Sequence, residues 1–293
     1  MQLAPFFIVG SQRSGTTMLR LIMDAHPELF VPFESDFLAV ERKYSTEYQS
    51  PQDVEEAYSA LLNETLTKKG QFLEQSYLPE LIKSKTFHEL FSTALSIATQ
   101  KAGKQRWGIK TPGYHIRIDS LWRLFPGAKF IHIIRDGRAI AHSQRNIEWG
   151  EKNVMKLAMK WDNDLKLANK MGAMIPNNYL EIRYEDLVRD TDKVTEQVCQ
   201  FIDVKFDQSM LDYYNSSRKK MPAESMQWHK NSVSKPDINK IDEWKTKLSK
   251  SDRKIFQGFA YNSLARMGYE VPPLSRSLFA KLKEVYYLQT YSD

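Results

Sequence analysis

The chain has 293 residues, 42% of them apolar and 12% aromatic, enough to bury a large core in one α/β domain or two small ones. The formal net charge of +6 favours anionic ligands. No block of about five or six like charges marks a nucleic-acid arm, no run of about 18 consecutive apolar residues marks a transmembrane helix, and excess lysine on solvated helices explains much of the charge.

The apolar run Pro5 to Val9, with a strand at Phe6–Val9, leads into Gly10-Ser11-Gln12-Arg13-Ser14-Gly15-Thr16-Thr17. An apolar-periodic stretch, Met18 to Met23, follows and ends near His26-Pro27. Strand, glycine turn and helix start are the layout of a phosphate-binding loop, which aims backbone N–H groups and a helix N-terminus at an anion. The triphosphate version, GxxxxGK[ST], carries a lysine where Thr16 stands here; the loop's cation is Arg13. The loop therefore suits a phosphate-like group but lacks the lysine that reaches β/γ-phosphates.

Glu34 stands 21 residues after Arg13, where a short extended run brings the chain back towards the loop. A carboxylate there can act as general base, or simply sit at a helix N-terminus. Ser50 before Pro51, then Val54, Tyr58, Leu61, Leu62 and Leu66, predict a helix. Thr86 with Glu89 caps another, which stops near Gly103. A second strand, Trp107–Ile109, runs into Lys110, Thr111 and Pro112. A third, Lys129–Ile134, ends in Arg135 at the edge where open α/β sheets bind ligands. Ser143 follows eight residues later, about two helical turns on and roughly on the same face. Asp136, Arg138 and Arg145 read as helix-surface charges, with Arg145 evenly balanced between surface and site.

Trp161, Leu165, Ala168 and Met171 predict a helix, Tyr179–Arg183 a strand followed by Tyr184, and Val194, Val198, Phe201 and Ile202 a further helix. Ser249 with Asp252 opens a helix that Gly268 stops. The amphipathic tail Ser275 to Tyr291 is expected to dock on the body, with a membrane or homodimer contact as the sharper option. The lone cysteine, Cys199, lies among apolar helical neighbours and is expected to be a buried thiol. With no basic stretch and apolar run at the start, a cytoplasmic setting is expected.

Strands alternating with helices predict an α/β fold, a parallel sheet flanked by helices. The stretch from about 41 to 104 is a helical insertion, expected to form a lid or acceptor-site wall within a single domain spanning 1–293. The six histidines do not cluster at metal-ligand spacing, so no metal is expected.

The segment FIVGSQRSGTTMLR resembles the 5′-phosphosulfate loop of sulfotransferases that use 3′-phosphoadenosine-5′-phosphosulfate (PAPS). The resemblance implies that Arg13, Ser14, Gly15, Thr16 and Thr17 grip the donor. KFIHIIRDGRAIAHSQR resembles the family's 3′-phosphate site, which places those roles on Arg135 and Ser143. HPELFVPFES looks like the segment in which bacterial and protein-tyrosine sulfotransferases carry a catalytic glutamate, here Glu34. WGIKTPGYH resembles the Lys-Thr of the cytosolic enzymes, with Lys110 supporting charge on the leaving oxygen. Those enzymes follow with a catalytic histidine where this chain has Pro112; His115 stays a second candidate base. LEIRYEDL implies an adenine contact for Tyr184, and SKPDINKIDEWKTKLS implies nucleotide contacts for Lys235 and Ser232, with Trp244 expected in the core. The implied partners are a sulfonucleotide and a hydroxyl or phenol acceptor. The segment around 205–230, with Tyr213, Tyr214, Met221, Met226 and Trp228, is expected to wall the acceptor or pack the core. Two other readings compete, a P-loop kinase or NTPase and a non-catalytic sulfonucleotide-binding module.

Overall fold

The computed structural model describes residues 4–229 and 231–273. The predicted tail therefore lies outside the described residues. Five parallel strands form one sheet: β1 (Phe6–Val9), β2 (Leu29–Phe30), β3 (Arg106–Lys110), β4 (Lys129–Ile134) and β5 (Tyr179–Arg183), in the order β2-β3-β1-β4-β5. Four of these stand where apolar runs predict them. The fifth, β2, is only two residues long and pairs Leu29 with Arg106 and Phe30 with Trp107. It extends the sheet edge just before the chain reaches Glu34.

Side chains alternate across the sheet, as a strand period of two requires. Phe7, Val9, Trp107, Ile109 and Phe130 face one side, where the helices Phe37–Glu41, Pro51–Asn63, Phe87–Lys101 and Ile118–Leu124 cover them. Phe6, Ile8, Ile131, Ile133 and Ile182 face the other, under the helices Thr16–Ala25, Tyr184–Arg189 and Thr191–Phe201. The central strands β1 and β4 are buried on both faces, which is why they read as nearly continuous apolar runs, while the edge strand β5 is mostly half-buried. A third cluster, around Ile134, Ile140, Trp161, Phe256 and Leu264, packs the helices Gly137–Arg145, Val154–Ala173 and Lys250–Arg266 together beyond the end of β4.

The helix caps sit where the sequence puts them. Ser50 and Asp53 form a reciprocal capping box. Thr86 accepts from the Glu89 amide, while the Glu89 carboxylate takes the amide of Lys85 instead of Thr86. Ser249 accepts from the Asp252 amide, and Gly268 ends that helix at φ 72°. Asp136 and Arg138 depart from the expected surface role. Both are buried, with the Arg138 guanidinium forked onto the Asp136 carboxylate and stacked 4.1 Å from the Trp244 ring. The Asp136 side chain also caps the Gly137–Arg145 helix, so burial is what makes this pair hold the helix start. Arg145 takes the surface role: it pairs with Asp252 at 2.5 Å.

Candidate active site

β1 is central and its neighbours β3 and β4 lie on opposite sides, so the loop after it opens at the point where the strand order reverses. Two glycines allow the turn. A Cβ at Gly10 would stand 2.6 Å from the Ile133 carbonyl oxygen. Gly15 has φ 101°, and a Cβ there would meet the Tyr184 ring at 2.4 Å. Arg13 adopts φ 70°, a left-handed conformation that costs a non-glycine residue and turns its side chain off the loop's path.

The Arg13 guanidinium donates to the Ser143 hydroxyl at 2.9 Å and to the Trp228 carbonyl at 3.0 Å. Arg135 donates to the Arg13 carbonyl at 3.0 Å and stacks 4.4 Å from the Tyr184 ring. The Arg135 carbonyl accepts from the Trp161 indole at 3.2 Å, which fixes the strand end. Burial and the neighbouring Arg135 lower the Arg13 pKa. Among the described residues neither guanidinium has a carboxylate at ion-pair distance, whereas Arg138 and Arg145 do. Two half-buried cations side by side make a site that favours a polyanion.

On the other side of the loop, Lys110 at the end of β3 is fully buried and donates to the Glu34 carboxylate. It also reaches the Thr17 hydroxyl at 3.3 Å. The next residue, Thr111, donates to the Ser35 carbonyl at 2.8 Å, so two consecutive residues of β3's end hold the Glu34 segment in place. The buried Arg20 donates to the Val31 carbonyl at 3.1 Å and ties the same segment to the first helix. Burial lowers the Lys110 pKa, and the Glu34 charge opposes that shift. An ammonium this buried needs its carboxylate, and the pairing fixes the Glu34 side chain at the cavity wall.

Arg13, Gly15, Thr16, Thr17, Glu34, Arg135, Ser143 and Tyr184 all line one cavity of about 360 Å³. Leu66 and Lys69 of the helical insertion form part of its wall.

A sequence model of the sulfotransferase family matches residues 5–208, well over half of the chain. This chain belongs to the sulfotransferase family. It is 24% identical to a zebrafish (Danio rerio) protein-tyrosine sulfotransferase 1 over 276 residues, covering 90% of this chain and 72% of that protein. It is 24% identical to protein-tyrosine sulfotransferase A of Caenorhabditis elegans over 249 residues, 82% of this chain and 61% of that protein. Among solved structures, the sulfotransferase domain of the Synechococcus olefin synthase superposes with a TM-score of 0.66 at 23% identity, covering 92% of this chain and 95% of the domain. The sulfotransferase domain of the curacin biosynthetic pathway gives 0.57 at 20% identity, covering 93% and 100%. These superpositions bear on the fold: both domains share the α/β architecture built on a parallel sheet.

Several expected sulfotransferase site residues lie away from the cavity wall. The Ser14 hydroxyl is buried on the inner side of the loop without a hydrogen-bond partner, so only its backbone can serve the cradle. Lys110 lies behind Glu34 and Thr17 and acts on the cavity through them. Lys235 is exposed and does not line the cavity; Ser232 and Lys240 of the same segment do. The register of that segment is set by Tyr213, whose hydroxyl donates to the Ser234 carbonyl at 2.8 Å. His115 is buried beneath the loop, 3.4 Å from the Ser11 hydroxyl and 3.4 Å from Asp164, and stacks on His132. It faces an enclosed space between loop and sheet, so it cannot meet an acceptor beside Glu34. Trp244 is buried as expected, yet its edge also lines the cavity.

Some cavity residues escape a reading of the sequence. His229 lines the cavity, and burial together with Lys110, Arg13 and Arg20 drives its pKa down to about 3. Trp149, 53% exposed, meets Trp228 edge-on at 6.3 Å at the cavity wall. Their positions depend on contacts across the whole chain, and no local pattern announces them. A hint lay in the crowding of aromatics near Trp228, but Tyr213 and Met221 from that crowd are core.

Proposed function

We propose that this chain is a PAPS-dependent sulfotransferase that moves a sulfuryl group to a hydroxyl or phenol acceptor by in-line transfer, with Glu34 as general base. In this reading the backbone N–H groups of Ser14 to Thr17, the threonine hydroxyls and Arg13 hold the 5′-phosphosulfate. Arg135 and Ser143 hold the 3′-phosphate, Tyr184 the adenine side, and Ser232 with Lys240 the closing segment in place of Lys235. Glu34 takes the acceptor proton as the new O–S bond forms. The S–O bond to the phosphate breaks, and the electron pair leaves with adenosine 3′,5′-bisphosphate, stabilised by Arg13. Lys110 holds the Glu34 carboxylate by a hydrogen bond and aims it, a positioning role. The sulfotransferase relatives named for protein tyrosine make a tyrosine phenol the first acceptor to try. The single buried cysteine is consistent with a reducing, cytoplasmic setting.

The observation that carries this reading is that Arg13, Arg135 and Glu34 line one cavity, with neither guanidinium at ion-pair distance from a carboxylate among the described residues and with the Glu34 carboxylate held by Lys110. A kinase would need an acidic magnesium ligand at a strand end, and Asp136, the acid that follows β4, is taken up by Arg138 and the helix start. To test the proposal, the protein is incubated with PAPS labelled in the sulfonate and a panel of tyrosine peptides, phenols, alcohols and glycans. Glu34→Gln should lower turnover by about 10² to 10⁴ and leave affinity for adenosine 3′,5′-bisphosphate unchanged. Absence of both transfer and bisphosphate binding in the wild type would sink the donor assignment. Binding without turnover would leave a sulfonucleotide-binding module.

A further inference from the structure

A second concave surface lies behind Trp244, a groove of about 480 Å³ open to solvent. One wall is the first two turns of the Lys250–Arg266 helix, where Lys250, Arg253, Lys254 and Gln257 fall at i, i+3, i+4 and i+7 and so share a face. The opposite wall carries Arg183 and Arg189, with Tyr269 between the two walls.

Three cations on adjacent turns of one helix face repel one another. They also stand at the helix N-terminus, the end whose partial positive charge disfavours cations. The acid of that first turn, Asp252, pairs with Arg145 elsewhere and does not line the groove. Among the described residues Lys250, Arg253 and Lys254 have no ion pair. The Arg253 Nε and the Arg183 Nε are both buried without a hydrogen-bond partner.

Of the carboxylates nearby, all but Glu270 are already engaged, and Asp186 lies 3.8 Å from Arg189. Glu185 accepts from the Tyr269 hydroxyl at 3.1 Å and from the Asp136 amide at 2.9 Å, and lies 3.9 Å from Arg183. Asp242 pairs with Lys245 at 3.1 Å, Asp136 with Arg138 at 2.8 Å, and Glu270 is exposed on the rim. The groove thus keeps a local excess of positive charge that its own carboxylates do not neutralise.

We propose that this groove is a second binding site, separate from the donor cavity, for a small molecule carrying a diphosphate group. Lys250, Arg253 and Lys254, the groove cations without an ion pair among the described residues, match the charge of a diphosphate, and the Arg253 guanidinium suits its paired oxygens, while Arg183 and Arg189 are held by Glu185 and Asp186. Trp244 lines both the groove and the donor cavity, so the two sites share one side chain.

The probe is inorganic pyrophosphate, titrated calorimetrically into the full chain with adenosine 3′,5′-bisphosphate present in excess. Saturable one-to-one binding should persist under the bisphosphate and weaken as salt rises. Arg253→Gln with Lys254→Gln should weaken it at least tenfold, whereas Lys156→Gln with Lys160→Gln, a charge-matched pair outside the groove, should not. In the wild type, amide NMR shifts should concentrate at residues 250–257, a readout that needs no variant to fold. Competition by the bisphosphate, unaltered affinity in the groove variant, or no binding would each overturn the proposal. If the bisphosphate itself fails to bind, the donor reading falls, and the same titration without it still decides the groove.

Discussion

Arg13 is held by four restraints at once: a left-handed backbone, the Ser143 hydroxyl, the Trp228 carbonyl, and the Arg135 guanidinium against its own carbonyl. A side chain fixed this way needs little reorganisation when it meets a charged group. His229 gives this site a pH signature. With a folded pKa of about 3 and an ordinary unfolded value near 6.5, the unfolded chain binds the extra proton between those limits. Stability therefore rises with pH through that window, and the contribution is lost as pH falls from about 6.5 towards 3. Urea midpoints measured from pH 7 to pH 4 should fall for the wild type and fall less for His229→Gln. Equal slopes would show that the imidazole is charged or exposed in the folded state. Arg13, Arg135 and Ser143 could be placed at the cavity from the sequence because each follows a strand end or sits at a fixed helical offset from one, whereas Glu34 was placed by the resemblance of its segment. His229 and Trp149 were not, since they reach the cavity through segments without regular pattern.

At the scale of the element, the loop between β1 and the first helix depends on the space left by Gly15. Gly15→Ala would force a side chain into a strained backbone and against Tyr184, the ring on which Arg135 stacks. A loss of about 1–3 kcal/mol is expected, together with weaker bisphosphate binding, measurable by urea denaturation and calorimetry. Normal affinity in this variant would mean that the loop's shape is not what binds the nucleotide. Strands β1, β4 and β5 were legible to the residue because each is a short run rich in apolar and aromatic residues bounded by a glycine turn or a helix start. Leu29–Phe30 was not legible: two residues give no period, and only pairing with β3 makes them a strand. Lys235 was misplaced for a related reason. It lies between the 3-10 turns Ala223–Trp228 and Ile238–Lys240, in chain without regular structure, where no period tells which side chain meets the cavity and which the solvent.

Across the whole molecule, the face that carries the helical insertion is sealed by aromatic rings. Phe37 stacks on Phe91 at 4.2 Å, and Phe125 meets Phe7, Phe37, Phe91 and Trp107 at 5.3–6.1 Å. Phe91→Ala should cost about 3–5 kcal/mol, because rigid neighbours cannot collapse into the hole. Its effect on turnover at saturating donor should be small so long as the protein is folded. A urea midpoint near wild type would show that the insertion packs loosely on the sheet. The fold class was legible because alternating strands and helices leave few topologies open. The assignment of Asp136 and Arg138 to the surface failed because their burial comes from Trp244, over a hundred residues downstream.

The hydrogen bond from Arg13 to Trp228 spans 215 positions of sequence. The turn at residues 10–15 can form from residues close in sequence, but its contact with Trp228 needs more than two hundred further residues. Closing so distant a contact is slow compared with forming helices. When the unfolded protein is diluted from denaturant, circular dichroism should recover first, and the ability to retain nucleotide should lag behind it.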